Sequence, residues 1–94
     1  MAAFVLIRQI HPLPGRETEA AEWYRESEAL RRRAGQTSQM LLRSLVDPSE
    51  YRLVQVWNSR QAYDAWRRTP ERERLAAERN RLMTSEPAHT YEVL

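Results

Sequence analysis

Along this chain the spacing of apolar residues switches between a period of two and a period near 3.6, and the switches mark the elements. Phe4 to His11 (FVLIRQIH) is rich in β-branched and large apolar residues and stops at Pro12-Leu13-Pro14-Gly15. Proline excludes strand continuation, so a strand is predicted from about Ala3 to His11. From Arg16 to Ala34 the residues Ala20, Trp23, Ser27, Leu30 and Ala34 form one helical stripe, and Gly35 is a candidate left-handed cap. Strands are predicted over Ser38–Leu45 and Tyr51–Asn58, joined by the turn chemistry of Asp47-Pro48-Ser49-Glu50. Ser59 is an N-cap for a short helix, Arg60–Arg68, on which Ala62, Tyr63 and Trp66 recur at helical spacing. Thr69-Pro70-Glu71 reads as the cap, first-position proline and first-turn acid of another helix, carrying Leu75, Ala76, Leu82 and Met83. The tail His89–Leu94 (HTYEVL) alternates and suits a final strand.

The resulting order is βαββαβ with the second helix broken in two. It predicts an α+β, ferredoxin-like domain over residues 1–94, with a four-stranded antiparallel sheet ordered 4-1-3-2 and helices on one face. The strands are apolar on both sides. Phe4, Leu6 and Ile10 share one face while Val5 and Ile7 take the other, and Val54 and Val56 oppose Tyr51, Leu53 and Trp57. A sheet with one wet face alternates cleanly, and helices cover only one side. A homodimer through the sheet faces is therefore expected.

Composition removes several chemistries. All 15 basic residues are arginine, and neither lysine nor cysteine occurs. Schiff-base chemistry, thiolate nucleophiles, disulfides and thiolate metal sites are excluded. The formal net charge is only +2, with acids and bases interleaved, as in Glu71-Arg72-Glu73-Arg74. That argues against nucleic acid as a partner, because a binder would segregate its basic residues onto one face. No apolar run approaches a membrane span, and Ala2–Ile7 is too short for a signal peptide, so no membrane association and a cytoplasmic location are expected.

The order and spacing of several segments make the chain similar to the antibiotic biosynthesis monooxygenase family. They run from the strand ending Pro14-Gly15, through Leu41-Leu42-Arg43-Ser44 and Asp47-Pro48, to Trp57-Asn58-Ser59 with Ala62, and to Tyr91-Glu92-Val93. The resemblance implies a dimeric α/β barrel and a cofactor-independent monooxygenase acting on an aromatic or phenolic molecule. It further implies a pocket between helices and sheet lined by Arg8, Trp23, Tyr24, Tyr63 and Trp66. The alternative is a non-catalytic ligand-binding or dimerisation module on the same fold. Trp66 falls where the haem-degrading branch places a tryptophan. However, the asparagine position of that branch holds Arg8 (Ile7 or Gln9 with a one-residue shift). Its histidine position holds Leu75 or Ala76, which disfavours haem degradation.

Each candidate residue has a plain structural reading beside the functional one. Trp23, Tyr24 and Trp66 serve as core anchors or as pocket walls, and Trp57 closes the end of the core. Arg8, on an apolar strand face, either pairs with Glu22, Glu26 or Glu92, snorkels at the edge of the core, or binds an anion or enolate. Arg43 is a second such candidate. His11 and His89, the only two histidines, are expected to be neighbours, either as exposed strand ends or with one acting as a general base. With Glu86 nearby they still lack a third metal ligand, so no metal is expected.

Overall fold

A computed structural model describes residues 3–94, so the Ala2 end of the Ala2–Ile7 run lies outside the described residues. The elements in chain order are β1 (Phe4–Pro12), α1 (Glu17–Ala34), β2 (Gln36–Arg43), β3 (Tyr51–Trp57), α2 (Arg60–Trp66), α3 (Pro70–Arg79), β4 (Met83–Ser85) and β5 (His89–Glu92). The sheet is antiparallel in the order β2-β3-β1-β4, with β5 also paired to β1. This is the expected ferredoxin-like arrangement, except that its last strand arrives in two pieces. Met83–Ser85 pair with Pro12–Ile10, and His89–Glu92 pair with Ile7–Phe4. Between them Glu86-Pro87-Ala88 faces only Arg8-Gln9, which is a β-bulge.

The bulge and β4 correct the expectation that the third helix carries Leu82 and Met83. That helix ends at Arg79, and Met83, 1% exposed, packs as a strand residue. Leu82 and Met83 do follow Leu75 and Ala76 by seven residues, which mimics a continuing helix stripe. The remaining boundaries move by one or two residues. The two caps act as anticipated: Ser59 accepts from the Ala62 N–H at 3.1 Å, and Thr69 from the Arg72 N–H at 3.2 Å.

Leu6, Ile10, Trp57 and Met83 form the fully buried centre of the core, under α1, α2 and α3. Gly35 ends α1 at φ 121°, and a Cβ there would meet the Ala62 Cβ at 3.0 Å. The glycine therefore serves both the turn and the close approach of α1 to α2. On α1 the buried stripe is Ala20, Tyr24, Ser27 and Arg31, one step around the helix from the stripe predicted through Trp23, Leu30 and Ala34. Arg31 is the reason: its guanidinium lies 5.5 Å from the ring centroids of both Trp23 and Tyr24, so aromatic stacking draws it inward. No helix is long and apolar enough to cross a membrane among the described residues.

Candidate functional site: an arginine-lined cavity

Period two puts Leu6 and Arg8 of β1, and Leu53 and Gln55 of β3, on the helix side of the sheet. There a cavity of about 50 Å³ opens between sheet and helices. Its walls include Arg8, Trp23, Tyr24, Tyr63 and Trp66, so the residues singled out from the sequence as a pocket are brought together. Leu75 and Ala76, at the position where a haem-degrading enzyme would hold histidine, line it too.

The sequence reading missed most of the charge. Arg31, Arg67, Arg72 and Arg79 join Arg8 in the lining, and no carboxylate does. Arg72 and Arg79 flank Leu75 at spacings of three and four on α3, the geometry of one helix face. That spacing was the available signal. None of these five arginines makes an ion pair among the described residues. Ion pairing of Arg8 with Glu22, Glu26 or Glu92 is thus not what the structure holds. Glu28, whose charge acts on Arg31, is bound to Arg32 at 3.1 Å instead.

Burial and like charge act together on these groups. Burial pushes the Arg31 guanidinium down to about 10, against the pull of Tyr24 and Glu28. Arg79 is lowered by burial first and then by the positive charges of Arg8 and Arg72, with Tyr24 and Tyr63 acting in the other direction. Burial raises the Tyr24 phenol above its ordinary value even though Arg79, Arg8 and Arg31 favour its anion. Tyr24 therefore stays a neutral phenol at the centre of the cations.

A chain of hydrogen bonds holds the floor. Trp57 donates its indole N–H to Gln55 at 3.2 Å, Gln55 donates to Gln39 at 3.0 Å, and Gln39 donates to the Tyr24 carbonyl at 3.1 Å. The same carbonyl accepts from Arg31 at 2.8 Å. Gln55 is only 5% exposed and was not anticipated, since a glutamine in a strand reads as surface. Three N–H donors around the cavity remain buried with no acceptor: Nε of Arg8, Nε of Arg31 and Nε1 of Trp23.

His11 and His89 are not neighbours, which corrects the expectation. Both lie on the far side of the sheet from the cavity, paired with Thr84 and Ile7 respectively. The four-residue step from Ile7 to His11 separates them by roughly 13 Å along β1. The short β4 causes this, because it takes the place beside His11 and carries the chain past it before β5 begins. His11 meets Glu86 at 2.8 Å, both exposed. Arg43 is exposed at the end of β2, outside the cavity lining. No group of three His, Cys, Asp or Glu side chains able to hold a metal ion occurs among the described residues.

Comparison with known proteins places this geometry. The family model described as antibiotic biosynthesis monooxygenase matches residues 3–78. Among solved structures, SnoaB, a cofactor-independent oxygenase from Streptomyces nogalater, superposes with a TM-score of 0.85 at 18% identity, covering 100% of this chain and 95% of its own. A protein from Bordetella bronchiseptica provisionally described as an antibiotic biosynthesis monooxygenase gives 0.81 at 22% identity, covering 100% and 97%. A protein of unknown function from Nitrosomonas europaea gives 0.76 at 20% identity, covering 100% and 91%. No curated protein matches the sequence. At such identities the superpositions establish the fold alone.

Proposed function

The chain belongs to the antibiotic biosynthesis monooxygenase family, and on that premise we propose that it is a cofactor-independent oxygenase acting on an aromatic phenol in the cavity between helices and sheet. The observation that carries this reading is the convergence of Trp23, Tyr24, Tyr63 and Trp66 with the guanidinium of Arg8 around one cavity. Flat aromatic walls orient a flat ring, and a fixed positive charge favours its phenolate over its phenol. The phenolate, in its carbanion form, delivers electrons to O₂ and yields a hydroperoxide. Loss of water then leaves a carbonyl, so a ring CH₂ and O₂ become C=O and H₂O. The chain's own part is to ionise, orient and shield the substrate.

At about 50 Å³ the cavity is far smaller than the ~300 Å³ of a typical ligand pocket, so a substrate must displace arginine side chains to enter. That size is also what favours the second reading, a non-catalytic ligand-binding module. Oxygen uptake with a panel of anthrones and quinols decides between them. The oxygenase reading expects uptake above autoxidation, falling about 100-fold in Trp66→Ala. Uptake at the autoxidation rate for the whole panel overturns it.

The same reading includes a homodimer. Met40 (54% exposed), Leu42 (46%) and Tyr91 (51%) join half-buried Val5, Ile7, Val54 and Val56 on the sheet face that carries no helix. The chain's surface of 6296 Å² also exceeds the ~5,700 Å² of a compact monomer of this mass. Both features support a second copy packed sheet against sheet.

A further inference from the structure

Five guanidinium groups converge on one small cavity with no carboxylate in its lining, while the chain has 13 acidic residues elsewhere. Repulsion among like charges in a partly dry site costs stability unless a negative charge enters. The lining also holds three buried N–H donors without an acceptor, on Arg8, Arg31 and Trp23. Arg31 is itself 4% exposed, so solvent does not serve its Nε. Donors in excess, acceptors absent and net positive charge describe the complement of an oxyanion. A phenolate supplies one diffuse charge, too little for this many donors.

We propose that the cavity selects an aromatic substrate bearing a carboxylate in addition to its reacting ring, with the arginine cluster holding the carboxylate and the aromatic walls holding the ring. This rests on the reading of the cavity as the substrate site and adds the class of substrate. Arg31 stays stacked on Trp23 and Tyr24 as a fixed anchor. Arg72 and Arg79, half-buried on α3, are placed to swing outward and admit the ligand. Arg67 lies over the Tyr63 ring at 5.7 Å, on the exposed side of the mouth.

Binding, read without turnover, tests this. Anthraquinone-2-carboxylate, its neutral carboxamide and inorganic phosphate are titrated calorimetrically into the full chain at low and high salt. The carboxylate is expected to bind at least about tenfold more tightly than the carboxamide, with the preference shrinking in salt. Arg79→Gln should remove most of that preference, Arg79→Lys should keep most of it, and Arg52→Gln on the opposite face should leave it unchanged. Far-UV circular dichroism verifies that each variant is folded. Equal affinity for carboxylate and carboxamide overturns the proposal, as does phosphate binding as tightly as the aromatic acid. If anthrones are not oxidised but the carboxylate preference stands, the oxygenase reading fails and this one survives. If oxidation proceeds and the preference is absent, the reverse holds.

Discussion

The two faces of the sheet are made from the same strands and have opposite characters. Facing the helices, Leu6, Arg8, Leu53 and Gln55 combine a fully packed core with a cluster of unpaired cations. Facing away, Val5, Ile7, Val54 and Val56 form an apolar surface with no helix over it. One would expect the charge on the open side and the apolar side chains beneath the helices. The comparison teaches that burial is not a proxy for polarity here. The covered face is where positive charge is stored. The uncovered face is where hydrophobic area is left without a helix to cover it.

The contrast can be broken or sharpened by substitution. The largest effect is expected for Trp57→Ala on the covered face. Trp57 is 0% exposed and its indole holds Gln55, so the loss should be about 3–5 kcal/mol, read as a fall in the urea midpoint. If that loss is small, the covered face is not the core. Next is Val54→Arg, which puts a charge between Met40 and Ile7 on the open face. Its expected result in sedimentation equilibrium is a dimer weakened at least about 100-fold, near 3 kcal/mol. A variant that sediments like the wild type would mean the open face is not an interface.

A gain is expected from Arg31→Met. Exchanging a buried cation for an apolar chain of similar volume should raise stability by about 1 kcal/mol in the absence of ligand. The sign of its pH dependence follows from a folded-state value of about 10, well below that of an ordinary guanidinium. The folded chain releases this proton first. The penalty is therefore complete below pH 10 and lifts as pH climbs from there towards the ordinary guanidinium range, so the gap between variant and wild type should narrow above pH 10. A gap that widens there would contradict burial as the cause. The smallest effects are expected for His11→Ala and His89→Ala, exposed on the far side from the cavity. Each should alter stability by less than about 0.5 kcal/mol and leave oxygen uptake unchanged. A large loss of uptake in either would restore histidine as the base.

Much of this was legible in the residues, and the failures share one origin. The strand faces were readable because a period of two assigns sides whatever the residue type; Arg8 was placed on the inner face for that reason alone. The stripe on α1 was misread because arginine was assumed to point outward. Stacking on Trp23 and Tyr24 reverses that assumption for Arg31. The interleaving of acids and bases also misled. Arg16, Arg32, Arg52 and Arg60 do pair with surface acids, but folding removes Arg8, Arg31, Arg72 and Arg79 from their sequence neighbours and gathers them in one place. Charge that is mixed along the chain is sorted in space. The separation of the histidines was missed because it depends on β4, a three-residue strand whose Met83 mimics the end of the helix stripe before it.

The bulge between β4 and β5 decides which way the last strand faces. Met83 and Ser85 sit opposite Pro12 and Ile10, on the helix side, whereas His89 and Tyr91 sit opposite Ile7 and Val5, on the open side. All four are odd-numbered, so the extra residue in Glu86-Pro87-Ala88 acts as a parity switch. Paired straight through without the bulge, the same residues would turn Tyr91 towards the helices and send the Glu92 carboxylate to the opposite face. Which side chains β5 shows on the open face is thus written in the pairing of a three-residue segment rather than in their identity.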